Sequence, residues 1–287
     1  MRLVRFIQNS ERPRVGVLFD QRIVPLDEVL PEARDSVVEL IGQWGDIAPR
    51  LTSVAEARSI PLGDVTLLSP VDRPQKLLAI GLNYADHIEE AKGIGLQIPT
   101  EQVWFCKQPS ALNGPFAAIE MPKVSDKLDY EVELVAVIGR GGRHISAADA
   151  PEHVFGYTIG NDVSVRDWQT RTPQWMLGKS FDTHAPVGPC IVTADEIGDP
   201  HRLAIRAYVN GELRQNSNVK HLVFKVWDQI AELSKAMTLQ PGDLIFTGTP
   251  GGVGFSFNPP KYLRVGDIVR CEIEEIGAIE NTVIAEP

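Results

Sequence analysis

The stretch from residue 129 to residue 139 constrains the fold of this chain more than any other. It reads DYEVELVAVIG, so acidic residues first alternate with apolar ones, and a continuous apolar run closed by glycine follows. Alternation with a period of two is the pattern of a β-strand, and a β-branched run bounded by glycine is typical of a buried strand. The pattern predicts a buried strand with Asp129, Glu131 and Glu133 together on one face.

Three carboxylates on one face of a buried strand repel one another. Same-face neighbours lie about 6 to 7 Å apart, and at an effective dielectric constant of about 20 each ionised pair costs about 2 kcal/mol. A solvated edge strand would avoid this cost, whereas a hard divalent cation would turn the repulsion into attraction. The apolar flanks, and a further acid, Asp162, after the strand-like segment at residues 156–161, favour the cation. Magnesium, manganese or calcium would fit, and no Cys/His spacing indicates zinc.

The composition fits a folded protein that acts on a small molecule. Of the 287 residues, 43% are hydrophobic and 23% are charged, which is ordinary for a globular protein. A net charge of −10, without a Lys/Arg-rich run, argues against nucleic acid or an anionic membrane surface as partner. Three widely separated cysteines indicate free thiols rather than disulfides. Because no signal peptide or membrane-spanning run is apparent, we expect a cytoplasmic protein.

Proline and glycine divide the chain into two predicted domains. Residues 1–70 read as a small α/β unit, and the segment SPVDRP at residues 69–74 marks its boundary. Residues 71–287 alternate short strands with Gly/Pro turns, interrupted by one amphipathic helix within residues 221–237 and closed by a hairpin at residues 268–284. The predicted fold class is therefore α+β and rich in β-strands.

Two sequence segments offer catalytic groups. His87 and Glu90 are three residues apart, so on a helix the carboxylate could orient the imidazole as a general base, with residues 91–99 as a mobile lid. By spacing alone, an incidental pair on a surface helix is the simpler interpretation. Lys179 lies in a loop bounded by glycine and proline, where a solvated lysine is the default expectation.

Two further segments offer binding groups. Arg166 follows Asp162 closely and could bind a substrate carboxylate, although a structural ion pair with Asp167 is equally compatible with the sequence. The loop TGTPGGVG at residues 247–254 could present backbone N–H groups and hydroxyls to a carboxylate. No Gly-Lys-Ser/Thr sequence or helical pattern follows it, so a phosphate-binding loop is not supported, and tight turns alone could explain the glycines.

Taken in order, these segments resemble the fumarylacetoacetate hydrolase family. The matching motifs are GLNY with His87 and Glu90, DYE with Glu133, NDVS, KSFD, and GDLI with TGTP. They extend from about residue 76 to the C-terminus, while residues 1–70 resemble the family's variable N-terminal domain. The resemblance implies a catalytic domain of mixed β-sheets that form a β-roll, usually assembled as a homodimer.

The resemblance also implies the metal ligands. Glu131, Glu133 and Asp162 would bind Mg²⁺ or Mn²⁺, with Ca²⁺ possible in crystals. Asp129 would lie outside this ligand set, although its spacing alone gives it equal standing.

Roles for the remaining residues follow from the same resemblance. Lys179 would stabilise negative charge on the substrate, and His87 with Glu90 would activate water beneath the lid. The predicted substrate-binding residues are Arg166, Gln169 and Thr249.

The implied reaction is hydrolytic cleavage of a C–C bond in a 2,4-diketo acid of the acylpyruvate type, as in the catabolism of aromatic compounds. It would proceed through an enolate held at the metal and stabilised by Lys179. The same scaffold also supports decarboxylation of oxaloacetate and isomerisation or hydration of unsaturated 2-keto diacids, so the fold cannot choose among them. The presence of both His87 and Glu90 favours hydrolysis. A catalytically silent binding protein is a remote alternative. Loss of a ligand acid or of Lys179 would have supported it, and neither is lost.

Overall fold

β-strands dominate the structure, a computed structural model that describes residues 1–9, 12–28, 30, 36–51, 59–85 and 100–287. The first ten strands are β1 (Arg2–Ile7), β2 (Arg14–Phe19), β3 (Arg22–Pro25), β4 (Ile60–Pro61), β5 (Thr66–Leu68), β6 (Leu77–Gly81), β7 (Val103–Lys107), β8 (Leu112–Asn113), β9 (Ile119–Met121) and β10 (Leu128–Asp129). The others are β11 (Val132–Ile138), β12 (Val154–Asn161), β13 (Ser164–Val165), β14 (Ala185–Thr193), β15 (Ala204–Val209), β16 (Glu212–Asn218), β17 (Leu244–Phe246), β18 (Ile268–Ile273) and β19 (Gly277–Ala285).

The α-helices of the described residues are mostly short. They are α1 (Val37–Gly42), α2 (Trp44–Leu51), α3 (Arg166–Thr170), α4 (Met176–Lys179), α5 (Ala194–Ile197) and α6 (Val226–Ala236). Helix α6 is the amphipathic helix expected within residues 221–237, and it buries Val226, Ile230 and Leu233 along one stripe. None of the described helices is long and apolar enough to cross a membrane.

The largest sheet within the described ranges contains twelve strands and runs through both predicted domains. Its order is β4-β3-β2-β1-β14-β12-β11-β17-β6-β7, with β5 beside β1 and β8 beside β14. Strand β1 pairs antiparallel with β14, which places Arg2 opposite Val192. The N-terminal strands therefore continue the sheet of the C-terminal part, and the division at residue 70 stays a prediction.

A second sheet packs beside the central strands of the first. Its order is β16-β15-β18-β19-β9, and its last two long strands form the predicted closing hairpin. Strand β11 is buried on both faces, because Val132 and Leu134 join one apolar cluster while Val135 and Val137 join another. A continuous apolar run is expected for such a strand. The strand-rich α+β fold class is thus confirmed.

The single strand predicted for residues 129–134 is wrong in one respect. Strand β10 ends at Asp129 and pairs with β13, whereas β11 begins at Val132 in the large sheet. Side chains take over the backbone bonds at the break, since the amide of Glu131 donates to Asn161 Oδ1 and that of Val132 donates to Gln215 Oε1, both at 3.0 Å. Asp129 therefore does not share one strand face with the two glutamates.

Candidate metal centre and active site

Three buried carboxylates meet at the ends of β11 and β12. Glu131 lies in the break before β11, Glu133 lies on β11, and Asp162 follows directly after β12. One oxygen of each residue lies within 4.8 Å of those of the other two. Their exposed fractions are only 4%, 1% and 0%. Glycine at position 160, opposite Glu133 in the ladder, is required by packing, because a Cβ there would lie 2.4 Å from the Phe246 ring.

Asp129 belongs to a separate hydrogen-bond network beside these acids. Its carboxylate accepts the backbone N–H groups of Gly254 at 2.7 Å and Phe255 at 3.0 Å, and Nε of Arg166 at 2.8 Å. A Cβ at Gly254 would lie 2.5 Å from Asp129 Oδ1, so this approach needs glycine. Asp129 therefore lies outside the acidic triad, which consists of Glu131, Glu133 and Asp162.

The glycine-rich loop at residues 247–254 does present N–H groups to carboxylates, but these belong to the protein itself. Besides the bond to Asp129, the N–H of Gly248 donates to Glu133 Oε2 at 2.7 Å. The Thr249 hydroxyl donates to the Val132 carbonyl at 2.9 Å and accepts from Gln215 Nε2 at 2.8 Å. Its hydrogen is thus used within the protein, and the role of Thr249 in substrate binding stays a prediction.

Lys179, the last residue of α4, bridges two members of the triad. Its Nζ lies 2.7 Å from Glu131 Oε2 and 2.7 Å from Asp162 Oδ2, and the side chain is buried. Burial lowers the pKa of Lys179, but the attraction of Asp162 and Glu131 outweighs it and leaves the pKa above its ordinary value. The solvated lysine expected by default is therefore wrong.

Lys107 is a second buried lysine at the triad, and sequence reasoning missed it. Its Nζ lies 2.7 Å from Asp162 Oδ1 and 3.1 Å from the Val163 carbonyl, with 1% of the residue exposed. Burial lowers the pKa of Lys107 even though Asp162 opposes the shift. The only sequence signal was its place at the end of the apolar strand β7, which also suits a lysine that reaches solvent.

The Arg166–Asp167 ion pair offered as a structural alternative is absent from the described residues. Arg166 instead pairs with Asp129, and its Nη1 lies 2.6 Å from Glu131 Oε1 and 2.9 Å from Gln169 Oε1. Asp167 accepts the Ser125 hydroxyl at 2.7 Å. Nη2 of Arg166 is buried with no hydrogen-bond partner in the part of the chain that the structure describes.

A cavity of about 840 Å³ opens beside Glu131 and Glu133, while Asp162 is buried and does not line it. Phe105 and Trp175 form apolar parts of its wall, and the predicted residues that line it are Glu131, Glu133, Arg166, Gln169, Lys179 and Thr249. Its size and mixture of apolar walls with a few polar groups suit a small-molecule ligand. His87, Glu90 and the predicted lid at residues 91–99 lie outside the described residues.

The donor set of the triad fits a hard divalent cation. Burial first, and then the neighbouring Asp162 and Glu131 carboxylates, raise the pKa of Glu133 well above its ordinary value. A bound divalent cation would stabilise the charged form of Glu133 against both effects. Three carboxylate oxygens leave open positions for water and substrate, as Mg²⁺ and Mn²⁺ prefer.

The chain belongs to the fumarylacetoacetate hydrolase family. The family model described as fumarylacetoacetate (FAA) hydrolase C-terminal matches residues 76–284, and an Rv2993c-like N-terminal model matches residues 1–70. The chain is 44% identical over 290 residues to the mitochondrial oxaloacetate tautomerase Fahd2a of Rattus norvegicus. The aligned region covers 99% of this chain and 92% of that protein.

Two solved structures resemble the chain along its whole length. Fumarylacetoacetate hydrolase from psychrophilic Exiguobacterium antarcticum is 39% identical with a TM-score of 0.87 and 100% coverage of both chains. Maleylpyruvate hydrolase from Sphingobium sp. SYK-6, in complex with manganese(II) and pyruvate, is 33% identical with a TM-score of 0.85 and the same coverage of 100%. The protein is thus an enzyme of this family. The relatives named above include two hydrolases and an oxaloacetate tautomerase.

Proposed function

We propose that this protein is a divalent-metal-dependent enzyme that interconverts the keto and enol forms of a small 2-oxo acid, with oxaloacetate as the first candidate. The observation that carries the proposal is the buried triad at the cavity, where the cationic side chains of Lys179 and Arg166 line the wall beside Glu131 and Glu133. The name of the rat relative, an oxaloacetate tautomerase at 44% identity, supports this choice of substrate.

Glu131, Glu133 and Asp162 would hold the metal ion, Mg²⁺ or Mn²⁺. When bound, the ion would supply Lewis-acid chemistry that withdraws electron density from the 2-oxo acid. The manganese ion and pyruvate of the solved maleylpyruvate hydrolase support a divalent ion and a 2-oxo acid in this family.

The chain's own groups would bind the substrate and stabilise its developing charge. The Lys179 ammonium, fixed by two carboxylates, would stabilise negative charge that grows on the C2 oxygen. Arg166, which lines the cavity, would donate to a substrate carboxylate, with Gln169 beside it. The apolar walls at Phe105 and Trp175 would exclude water and so strengthen these interactions. We assign proton transfer at C3 to His87, oriented by Glu90, both outside the described residues.

Hydrolysis of a C–C bond in a 2,4-diketo acid is the second candidate. It is supported by the 33% identity to maleylpyruvate hydrolase and by the presence of both His87 and Glu90. Hydrolysis and tautomerisation share an enolate of a 2-oxo acid, so the triad, Lys179 and Arg166 would serve both. Only hydrolysis also needs a water molecule activated by His87.

Parallel assays of metal-stripped protein test these candidates. We expect added Mg²⁺ to restore the conversion of enol oxaloacetate, followed by ultraviolet absorbance, at a higher kcat/KM than the cleavage of acetylpyruvate. Lys179→Met should lower either rate by about 10² to 10³, as does the loss of one donor to an oxyanion. Lys76→Met is the matched control, because Lys76 pairs with Asp243 at 2.8 Å. Full activity after chelation would refute the proposal, and faster acetylpyruvate cleavage would favour the second candidate.

A further inference from the structure

One oxygen of each triad carboxylate is held from outside the cluster. Nη1 of Arg166 lies 2.6 Å from Glu131 Oε1, and the N–H of Gly248 lies 2.7 Å from Glu133 Oε2. Nζ of Lys107 lies 2.7 Å from Asp162 Oδ1. Three different elements thus each fix one carboxylate through a single oxygen.

The remaining oxygens of two of these residues point to a common neighbour. Glu131 Oε2 and Asp162 Oδ2 both lie 2.7 Å from Nζ of Lys179. A carboxylate oxygen has two lone pairs, so each of these atoms can accept Lys179 and a cation together. Glu131 and Asp162 thus each turn one oxygen toward an outer donor and the other toward Lys179, an arrangement in which each residue would bind a metal ion through a single oxygen.

Lys107 differs from the other two outer donors. Arg166 lines the cavity and has further partners, and Gly248 acts through its backbone. Lys107 is buried behind Asp162, is not among the residues that line the cavity, and is anchored by the Val163 carbonyl at 3.1 Å. Its side chain therefore acts on the centre through Asp162, by restraining rotation of that carboxylate.

We propose that Lys107 is a positioning residue that limits Asp162 to single-oxygen coordination and thereby shifts the selectivity of the centre from Ca²⁺ toward Mg²⁺. Mg²⁺ demands a near-ideal octahedron, whereas Ca²⁺ accepts more ligands and commonly takes both oxygens of a carboxylate. Oδ1 is held toward Lys107, whereas Oδ2 faces Lys179 together with Glu131, so Asp162 would have to rotate away from Lys107 before both of its oxygens could face the ion. This inference rests on the proposed metal centre.

Calorimetric titration of metal-stripped, full-length protein with MgCl₂ and with CaCl₂ tests the inference. We expect Lys107→Met to lower the ratio Kd(Ca)/Kd(Mg) by about tenfold, which is the order of magnitude by which partners of metal ligands affect metal affinity. Both ions carry two charges, so the loss of the lysine charge affects the two Kd values alike and cancels in the ratio. Lys107→Arg, which keeps donors for Oδ1, should retain most of the wild-type ratio. Lys76→Met, which removes a lysine from the Asp243 ion pair, should retain it fully.

A second variant guards against misfolding. If circular dichroism shows that Lys107→Met is unfolded, Lys107→Gln, which lacks the charge and is too short for the same contact, should lower the ratio in its place. Equal changes in both Kd values, or an unchanged ratio in the folded variant, would overturn the role of Lys107. Absence of any binding of Mg²⁺ or Ca²⁺ to the wild-type protein would instead refute the metal centre itself.

Discussion

At the scale of single residues, buried carboxylates a few positions apart have different surroundings. Asp129 accepts three backbone N–H groups, those of Tyr130, Gly254 and Phe255, and an arginine, so its charge is balanced within the protein. Glu133 accepts the Gly248 N–H, and its pKa is raised by burial first and then by two neighbouring acids. A structural acid and a proposed metal-binding acid are thus distinguished by the hydrogen-bond donors around them and not by their spacing.

Asp129→Asn should destabilise the fold more than it weakens metal binding. The amide breaks the buried ion pair to Arg166 and sets an N–H₂ group against other donors, so the free energy of unfolding should fall by about 3 to 5 kcal/mol. Urea unfolding measures this loss, and calorimetry measures the Mg²⁺ affinity. A loss of affinity as large as that of Glu133→Gln would place Asp129 among the ligands.

His184 should make stability depend on pH. Burial lowers the pKa of His184 to about 3, while Nε2 donates to the Glu120 carbonyl at 2.8 Å. Between that value and the ordinary pKa of about 6.5, the unfolded chain binds a proton that the folded chain does not. The contribution of His184 to the free energy of unfolding is therefore fully present above about pH 6.5. It falls as the pH decreases below that value, by at most about 1.4 kcal/mol per pH unit.

Replacing His184 isolates this contribution. His184→Gln keeps a donor for the Glu120 carbonyl but cannot titrate, so the free energy of unfolding should depend less steeply on pH between about pH 4 and 6.5. Urea unfolding at a series of pH values measures both slopes. Identical slopes for the two proteins would show that His184 does not bind the extra proton on unfolding.

At the scale of elements, two short helices in close contact position the cationic side chains. Helix α3 carries Arg166 and Gln169, and α4 ends with Lys179. The contact depends on Gly178, because a Cβ there would lie 2.2 Å from the backbone nitrogen of Gln169. No change of side-chain rotamer could relieve a clash with backbone.

Gly178→Ala should therefore separate the two helices and misplace Lys179 relative to Arg166. We expect kcat/KM for oxaloacetate to fall at least about tenfold, because small displacements of catalytic groups have large effects on rate. Gly45→Ala in α2 is the control, since a Cβ at Gly45 meets nothing within 4 Å. Steady-state kinetics of the two variants provide the comparison, and equal kcat/KM values would contradict a positioning role for this contact.

Sequence periodicity predicted the elements whose pattern of buried residues lies within one segment. It did not predict features that depend on contacts between residues far apart in the sequence. The apolar run of β11, the stripe of α6 and the closing hairpin each carry their pattern within one segment. The break after Asp129 depends instead on two acceptors far along the chain, Asn161 and Gln215, which take the amides of Glu131 and Val132. Lys107 meets Asp162 across 55 residues, and a lysine that ends an apolar strand has the same local pattern whether it is buried or solvated.

At the scale of the whole molecule, the large sheet makes the N-terminal strands part of the support for the site. Strand β14 pairs with β1 on one side and with β12, which precedes Asp162, on the other. Leu3 of β1 is fully buried in an apolar cluster shared with Val187 and Ile191 of β14. Removing residues 1–70 would expose this cluster and leave an unpaired strand edge.

A fragment of residues 71–287 should consequently be unstable or aggregate. Without residues 1–70, the buried face of β14 loses apolar contacts that no other described segment supplies, and it becomes exposed. Thermal unfolding by circular dichroism and size-exclusion chromatography compare the fragment with the full chain. A soluble fragment with the same Tm would show instead that residues 1–70 form an independent domain. The same chromatography, with light scattering on the full chain, checks the expected homodimer.

The proposed function requires that a divalent cation held by Glu131, Glu133 and Asp162 supports enolisation of a 2-oxo acid. Exchange of the methyl protons of pyruvate in D₂O, followed by proton NMR, reports this step without any C–C cleavage. We predict that the wild-type protein with Mg²⁺ accelerates the exchange, and that chelation or Glu133→Gln slows it by about 10² or more. If the protein accelerates the exchange equally well after exhaustive chelation, or if folded Glu133→Gln does so, enolisation does not depend on a metal ion at these three acids.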